Sequence, residues 1–186
     1  NFEIRKHLLE YDDVLNEQRK FIYAARDEII GDPNLKERLL ATANDIVDDL
    51  AAAYRQTVVK GHGNVAGLVA GLKEKLWFEP AETPEALAAL EAEELERTIR
   101  DGLRANLEEK ERQLGPGVLN RFILIQYLRN IDARWQDHLE NLEALREAVY
   151  LRAYSQKNPL LEYKLEGFQI FDEMLLGIKT TIARTV

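Results

Sequence analysis

The chain has 186 residues, 46% hydrophobic and 31% charged, with no cysteine and a formal net charge of −8. That length allows one or two domains with real cores, and the composition is ordinary for a helical protein in water. The acidic balance argues against a nucleic-acid binder, which needs a basic face for phosphates, and zero cysteines excludes disulfides and thiolate metal sites.

The first helix carries the stripe Ile4, Leu8, Tyr11, Leu15, Ile22, Ala25 and Ile29, broken only at Gln18. Gly31-Asp32-Pro33 ends it, glycine closing the helix and proline refusing to extend it. Asp32 or Asn34 is placed to cap a second helix bearing Leu35, Leu39, Ile46, Leu50 and Tyr54. Lys60-Gly61-His62-Gly63-Asn64 is a loop, and Leu68, Leu72 and Leu76 mark a shorter helix ending near Trp77-Phe78-Glu79-Pro80. Thr83-Pro84-Glu85 opens another, with threonine as N-cap, and an Ala/Glu/Leu/Arg-rich stretch runs on to Leu114.

Gly115-Pro116-Gly117 breaks that run and starts a helical hairpin. Val118, Phe122, Ile125, Leu128, Ile131, Trp135, Leu139, Leu142, Leu145 and Val149 recur every three or four residues. Their mean spacing of about 3.4 is the seam period of helices packed almost parallel. Asn158-Pro159 marks the return, because the residue before proline avoids the helical region and proline suits a first turn. Leu161, Leu165, Phe168, Phe171, Leu175, Ile178 and Ile182 then repeat the pattern. No strand and no internal repeat is readable, so the expected fold class is all-α. Acidity is concentrated in residues 31–116, with 17 acidic and 11 basic residues, whereas residues 117–186 hold 9 of each. Such a middle segment is ordinarily a solvated helical surface.

Enzymatic chemistry is sparse. No GxxxxGK[ST] phosphate loop occurs, and KGHGN lacks both the following Lys-Ser/Thr and a flanking strand, so it reads as an interhelix loop. His7, His62 and His138 are too dispersed for a metal site, and no HExxH or Glu-x-x-His pair exists. His138 reads as a partly buried histidine bonding a neighbouring element. Asp12 and Asp13 diverge by about 100° on a helix and do not share a site. Trp135, Phe168 and Phe171 are expected to anchor the core. No apolar run approaches the roughly 20 residues of a membrane span, and no signal peptide is visible. The chain opens inside a helix, without methionine, and reads as a piece of a longer protein.

Two runs carry a family resemblance. Trp135, His138-Leu139, Leu142, Leu145-Arg146, Leu151-Arg152, Tyr154, Gln156-Lys157, Pro159, Glu162-Tyr163-Lys164, Glu166, Phe168, Phe171 and Met174-Leu175 resemble the two-helix finger of SecA, the ATP-driven motor of bacterial preprotein translocation. NFEIRKHLLEYDDVLNEQR, with Ile22-Tyr23 and Arg26, resembles the family's long scaffold helix. The resemblance is strong over residues 1–30 and 117–186 and weak between. Ala153 and Asn158 replace the glycine and aspartate common at those places.

The resemblance implies that residues 1–30 end the helical scaffold, 31–116 form a helical wing domain, and 117–186 form a two-helix finger packing on the scaffold. It implies that Tyr154 at the fingertip contacts the translocating polypeptide, with Arg152, Gln156 and Lys157 beside it. The implied partners are the SecYEG channel, the preprotein and the parent's own nucleotide-binding domains, which hold ATP and Mg2+ outside this chain. No cofactor, metal or nucleic acid is expected here, and the chain alone is expected to hydrolyse no ATP. The parent is expected at the cytoplasmic face of the bacterial plasma membrane, as a peripheral protein. The zinc-binding cysteine tail found at the C-terminus of many members is not expected within these residues. The alternative reading is a free-standing helical adaptor whose seam pairs with a partner helix; a metal-dependent bundle enzyme fails for want of ligands.

Overall fold

A computed structural model describes residues 2–152 and 158–186, and the side chains of all these except residues 2–4 and 7. The fold is all-α. Among the described residues there are seven helices and no strand: α1 (Phe2–Gly31), α2 (Leu35–Val59), α3 (Val65–Leu76), α4 (Pro84–Ala88), α5 (Ala92–Leu114), α6 (Pro116–Arg152) and α7 (Pro159–Ala183). The chain divides into two compact units, Asn1–Asp32 with Tyr127–Ile178, and Pro33–Gln126 with Lys179–Val186.

In the first unit, three helices meet along their lengths. Arg146 lies over the Tyr11 ring at 5.5 Å, Gln18 meets His138, and Arg26 forms a two-pronged bond with Asp132 at 3.0 and 3.3 Å. Numbers fall along α6 as they rise along α1, so these helices are antiparallel. Tyr11 meets Tyr163 at 4.9 Å between centroids and Phe21 meets Phe171 at 5.6 Å, so α1 and α7 run parallel. Asn130 donates to the Ile178 carbonyl at 3.0 Å, completing the antiparallel α6–α7 pairing.

The second unit is held by an antiparallel α2–α5 pair. Leu39, Leu40, Ala43 and Val47 on one helix and Leu95, Ile99, Leu103 and Leu107 on the other are buried, as are Leu68, Leu72 and Leu76 of α3. Arg104 holds Glu37 with two bonds at 2.9 and 3.0 Å, and Lys36 meets Glu111 at 2.5 Å. The loop before α3 is tied down by its cap: Asn64 Oδ1 accepts from the Gly67 N–H at 2.8 Å, while the Asn64 N–H donates to Thr57 Oγ1 at 3.1 Å. The expected single helix from Pro84 to Leu114 is instead two. It breaks at Ala89-Leu90-Glu91, with Leu87 fully buried on one side and Leu95 on the other.

Candidate functional site

The resemblance points to the neck of the hairpin, where α6 ends and α7 begins. Tyr11, Leu142, Val149 and Tyr163 form a buried cluster there, with Val14, Leu15, Leu145, Leu160 and Ile170 packed around it. Asn158 starts α7 as an N-cap, its Oδ1 accepting from the Leu160 and Leu161 amides at 3.1 and 3.3 Å. Arg152, the last described residue of α6, bonds Glu166 and lies 3.6 Å from Glu162, so a charged clasp joins the two arms. Arg146 adds a 3.9 Å ion pair to Asp12 beneath it.

Burial, and secondarily the neighbouring Tyr150, raises the Tyr11 phenol above its ordinary value although Arg146 opposes it; burial likewise raises Tyr163. Both phenols therefore stay protonated at neutral pH. A cavity of about 350 Å³ opens beside them, lined by Leu8, Tyr11, Arg146, Tyr150, Pro159 and Leu160. Tyr150 and Leu151 are exposed at this level of the hairpin. Tyr154, Gln156 and Lys157 lie outside the described residues.

Lower on the hairpin, a polar node sits inside the seam. Gln18 Nε2 donates to the Gly167 carbonyl at 3.1 Å, which leaves Gln18 Oε1 as acceptor for His138 Nε2 at 2.6 Å. His138 therefore carries its proton on Nε2. It is buried between Trp135 and Phe171, with ring centroids at 5.4 and 5.5 Å, and burial holds its pKa below the ordinary histidine value. The one break in the apolar stripe of α1, Gln18, is thus a partnered polar residue. Gln18 interrupts the α1 stripe in the sequence, but His138 lies one residue off the α6 stripe read there, and only the structure turns it to the buried face.

Trp135 and Phe171 are buried, but Phe168 is not. The expectation that Phe168 anchors the core is corrected, because 63% of it is exposed. The core face of α7 is Tyr163, Gly167, Phe171 and Met174, so the larger apolar residues Leu161, Leu165 and Phe168 fall on the open side. Helix α6 shows the same shift at its start, where Leu119, Ile123 and Tyr127 are buried while Val118, Phe122 and Ile125 are exposed. Among the described residues no group of three or more His, Asp or Glu side chains is placed to hold a metal ion. None of the described helices is long and apolar enough to cross a membrane.

A family model described as the SecA Wing and Scaffold domain matches residues 1–186. The protein translocase subunit SecA of Treponema denticola is 49% identical over 98% of this chain, which spans 20% of that relative. The SecA subunits of Treponema pallidum and Borreliella afzelii are 44% and 43% identical over 100% of the chain, again 20% of each relative. The chain thus spans about a fifth of the length of the curated relatives it matches.

Proposed function

Because the chain belongs to the SecA wing and scaffold family, we propose that it is the part of a protein translocase motor that carries a substrate-contacting hairpin on a helical scaffold. The hairpin enters the cytoplasmic mouth of the SecYEG channel, and Tyr154 touches the moving preprotein there, with Arg152, Gln156 and Lys157 around it. An amphipathic ring suits the task, since it meets apolar side chains and backbone alike without demanding one sequence. The same region restrains the ATPase of the parent, whose nucleotide-binding domains supply the ATP and Mg2+ chemistry. The parent works at the cytoplasmic face of the membrane as a peripheral protein.

The observation that carries this reading is the bracing of the hairpin. Both arms are tied to each other or to α1 from Asn130–Ile178 up to the Arg152–Glu166 clasp, the last described step before residues 153–157. A braced stalk can bear a load delivered at its end. The test is Tyr154→Ala in the full-length parent, assayed for preprotein transport and nucleotide binding. Transport should fall sharply with nucleotide binding intact, and a photo-crosslinker at position 154 should capture preprotein in transit. Normal transport, or capture of no substrate, would refute the assignment.

A further inference from the structure

Helix α3 ends at Trp77, whose φ of 51° puts it in the left-handed region, alone among non-glycine residues described. The closing bonds, Trp77 N–H to Lys73 O at 3.1 Å and Phe78 N–H to Leu72 O at 3.4 Å, call for a left-handed residue here. Glycine meets that call without steric cost, whereas a side chain with a Cβ does not. Burial of the indole does not compensate, because Trp77 is 73% exposed while its neighbour Phe78 is buried. The fold explains the backbone at this position and leaves the bulky ring unexplained. Strained residues with no internal return concentrate at functional surfaces.

Trp77 borders an open hollow of about 690 Å³ that it shares with Leu114, Leu119 and Phe122, and with the cations Lys110 and Arg184. Phe122 belongs to a ridge on α6, Val118, Phe122 and Ile125, whose members are 57%, 45% and 41% exposed at helical spacing. Contiguous apolar surface of this kind marks interaction sites. No carboxylate lines the hollow. The Lys110 ammonium bonds the Val186 main-chain oxygen, and burial lowers its pKa. In a chain of net charge −8, a hollow that is apolar and cationic without an acid is complementary to something acidic.

We propose that this hollow docks an amphipathic helix of a partner protein, one whose apolar stripe is bordered by carboxylates. The stripe packs on Trp77, Leu114 and the Phe122 ridge, and the carboxylates meet Lys110 and Arg184. Apolar anchors supply the affinity of such helix-in-groove pairs, and the charges select the partner.

The test uses the full-length parent and a fluorescent helical peptide of about four turns, with leucines at i, i+4 and i+7 and glutamates flanking them. The peptide should bind saturably, and replacing its glutamates by lysines should weaken binding about tenfold or more. Trp77→Gly should weaken binding about tenfold while leaving or raising the denaturation midpoint, since glycine relieves the left-handed backbone. Arg184→Glu should turn the preference toward the lysine peptide. The proposal is overturned if Trp77→Gly lowers stability and leaves binding unchanged, or if affinity ignores the peptide's charge. Absence of binding to the parent also overturns it, because the hollow is then covered by a second copy or by another stretch of the same polypeptide.

Discussion

A buried glutamine must find partners for both ends of its amide, and Gln18 finds them on two different helices, α6 and α7. Because burial favours neutral His138, its folded pKa lies below the roughly 6.5 of an unfolded histidine. The unfolded chain then binds the extra proton first as pH falls. Stability from this site is full above the unfolded value and drains away as pH drops through the folded one. The denaturant midpoint should therefore fall on acidification below about pH 6.5, and His138→Gln should flatten that slope. A slope unchanged in the variant would place the effect elsewhere. The two phenylalanines of α7 give a second contrast. Phe171→Ala should cost about 3–5 kcal/mol, and Phe168→Ala no more than about 0.5, by equilibrium unfolding.

At the scale of elements, capping can be tested directly. Asn64→Ala removes the side chain that accepts from Gly67, and thermal or denaturant unfolding should register a loss of about 1 kcal/mol. Helix ends were legible wherever glycine, proline or a capping residue stood, as at Gly31-Asp32-Pro33, Thr83-Pro84 and Gly115-Pro116. The break after Ala88 was not, because Ala-Ala-Leu-Glu is good helix sequence and tertiary packing of Leu87 and Leu95 overrides it. The hairpin itself was legible from its two periodic stripes. Over half of each arm the stripe of largest apolar residues does not face inward: Val118, Phe122 and Ile125 of α6 are exposed. The core instead takes Gly167 and Tyr163, one small and one with a polar tip, and leaves Leu161, Leu165 and Phe168 outside. Periodicity locates a helix more securely than it phases one.

At the scale of the whole molecule, each compact unit has a core of its own. Trp135→Ala in the first should cost about 3–5 kcal/mol, and Leu72→Ala in the second about 2–5 kcal/mol. If the two cores are independent, the double variant should show their sum to within about 0.5 kcal/mol in denaturant titrations. A coupling well beyond that would mean the cores communicate. The acidity of residues 31–116 was readable as a number and as a solvated surface. Its arrangement was not: Glu37, Asp48, Glu96 and Glu111 pair with Arg104, Arg100, Arg55 and Lys36 of the facing helix, and composition cannot supply such pairings. The fingertip residues, whose role only the family resemblance supplies, await the transport and crosslinking measurements on Tyr154.

Gly167 has a mechanical consequence. A Cβ built there would already stand 3.4 Å from Leu142, and its carbonyl is held by Gln18. Sliding α7 by one helical turn, about 5.4 Å, would bring Tyr163 or Phe171 into that gap and break the glutamine's bonds at the same time. The helix cannot creep along its neighbours; it is held as by a detent. A one-turn slip of α7 past α1 and α6 is therefore opposed by packing and hydrogen bonding at the same point, so the register of the three helices is set at Gly167.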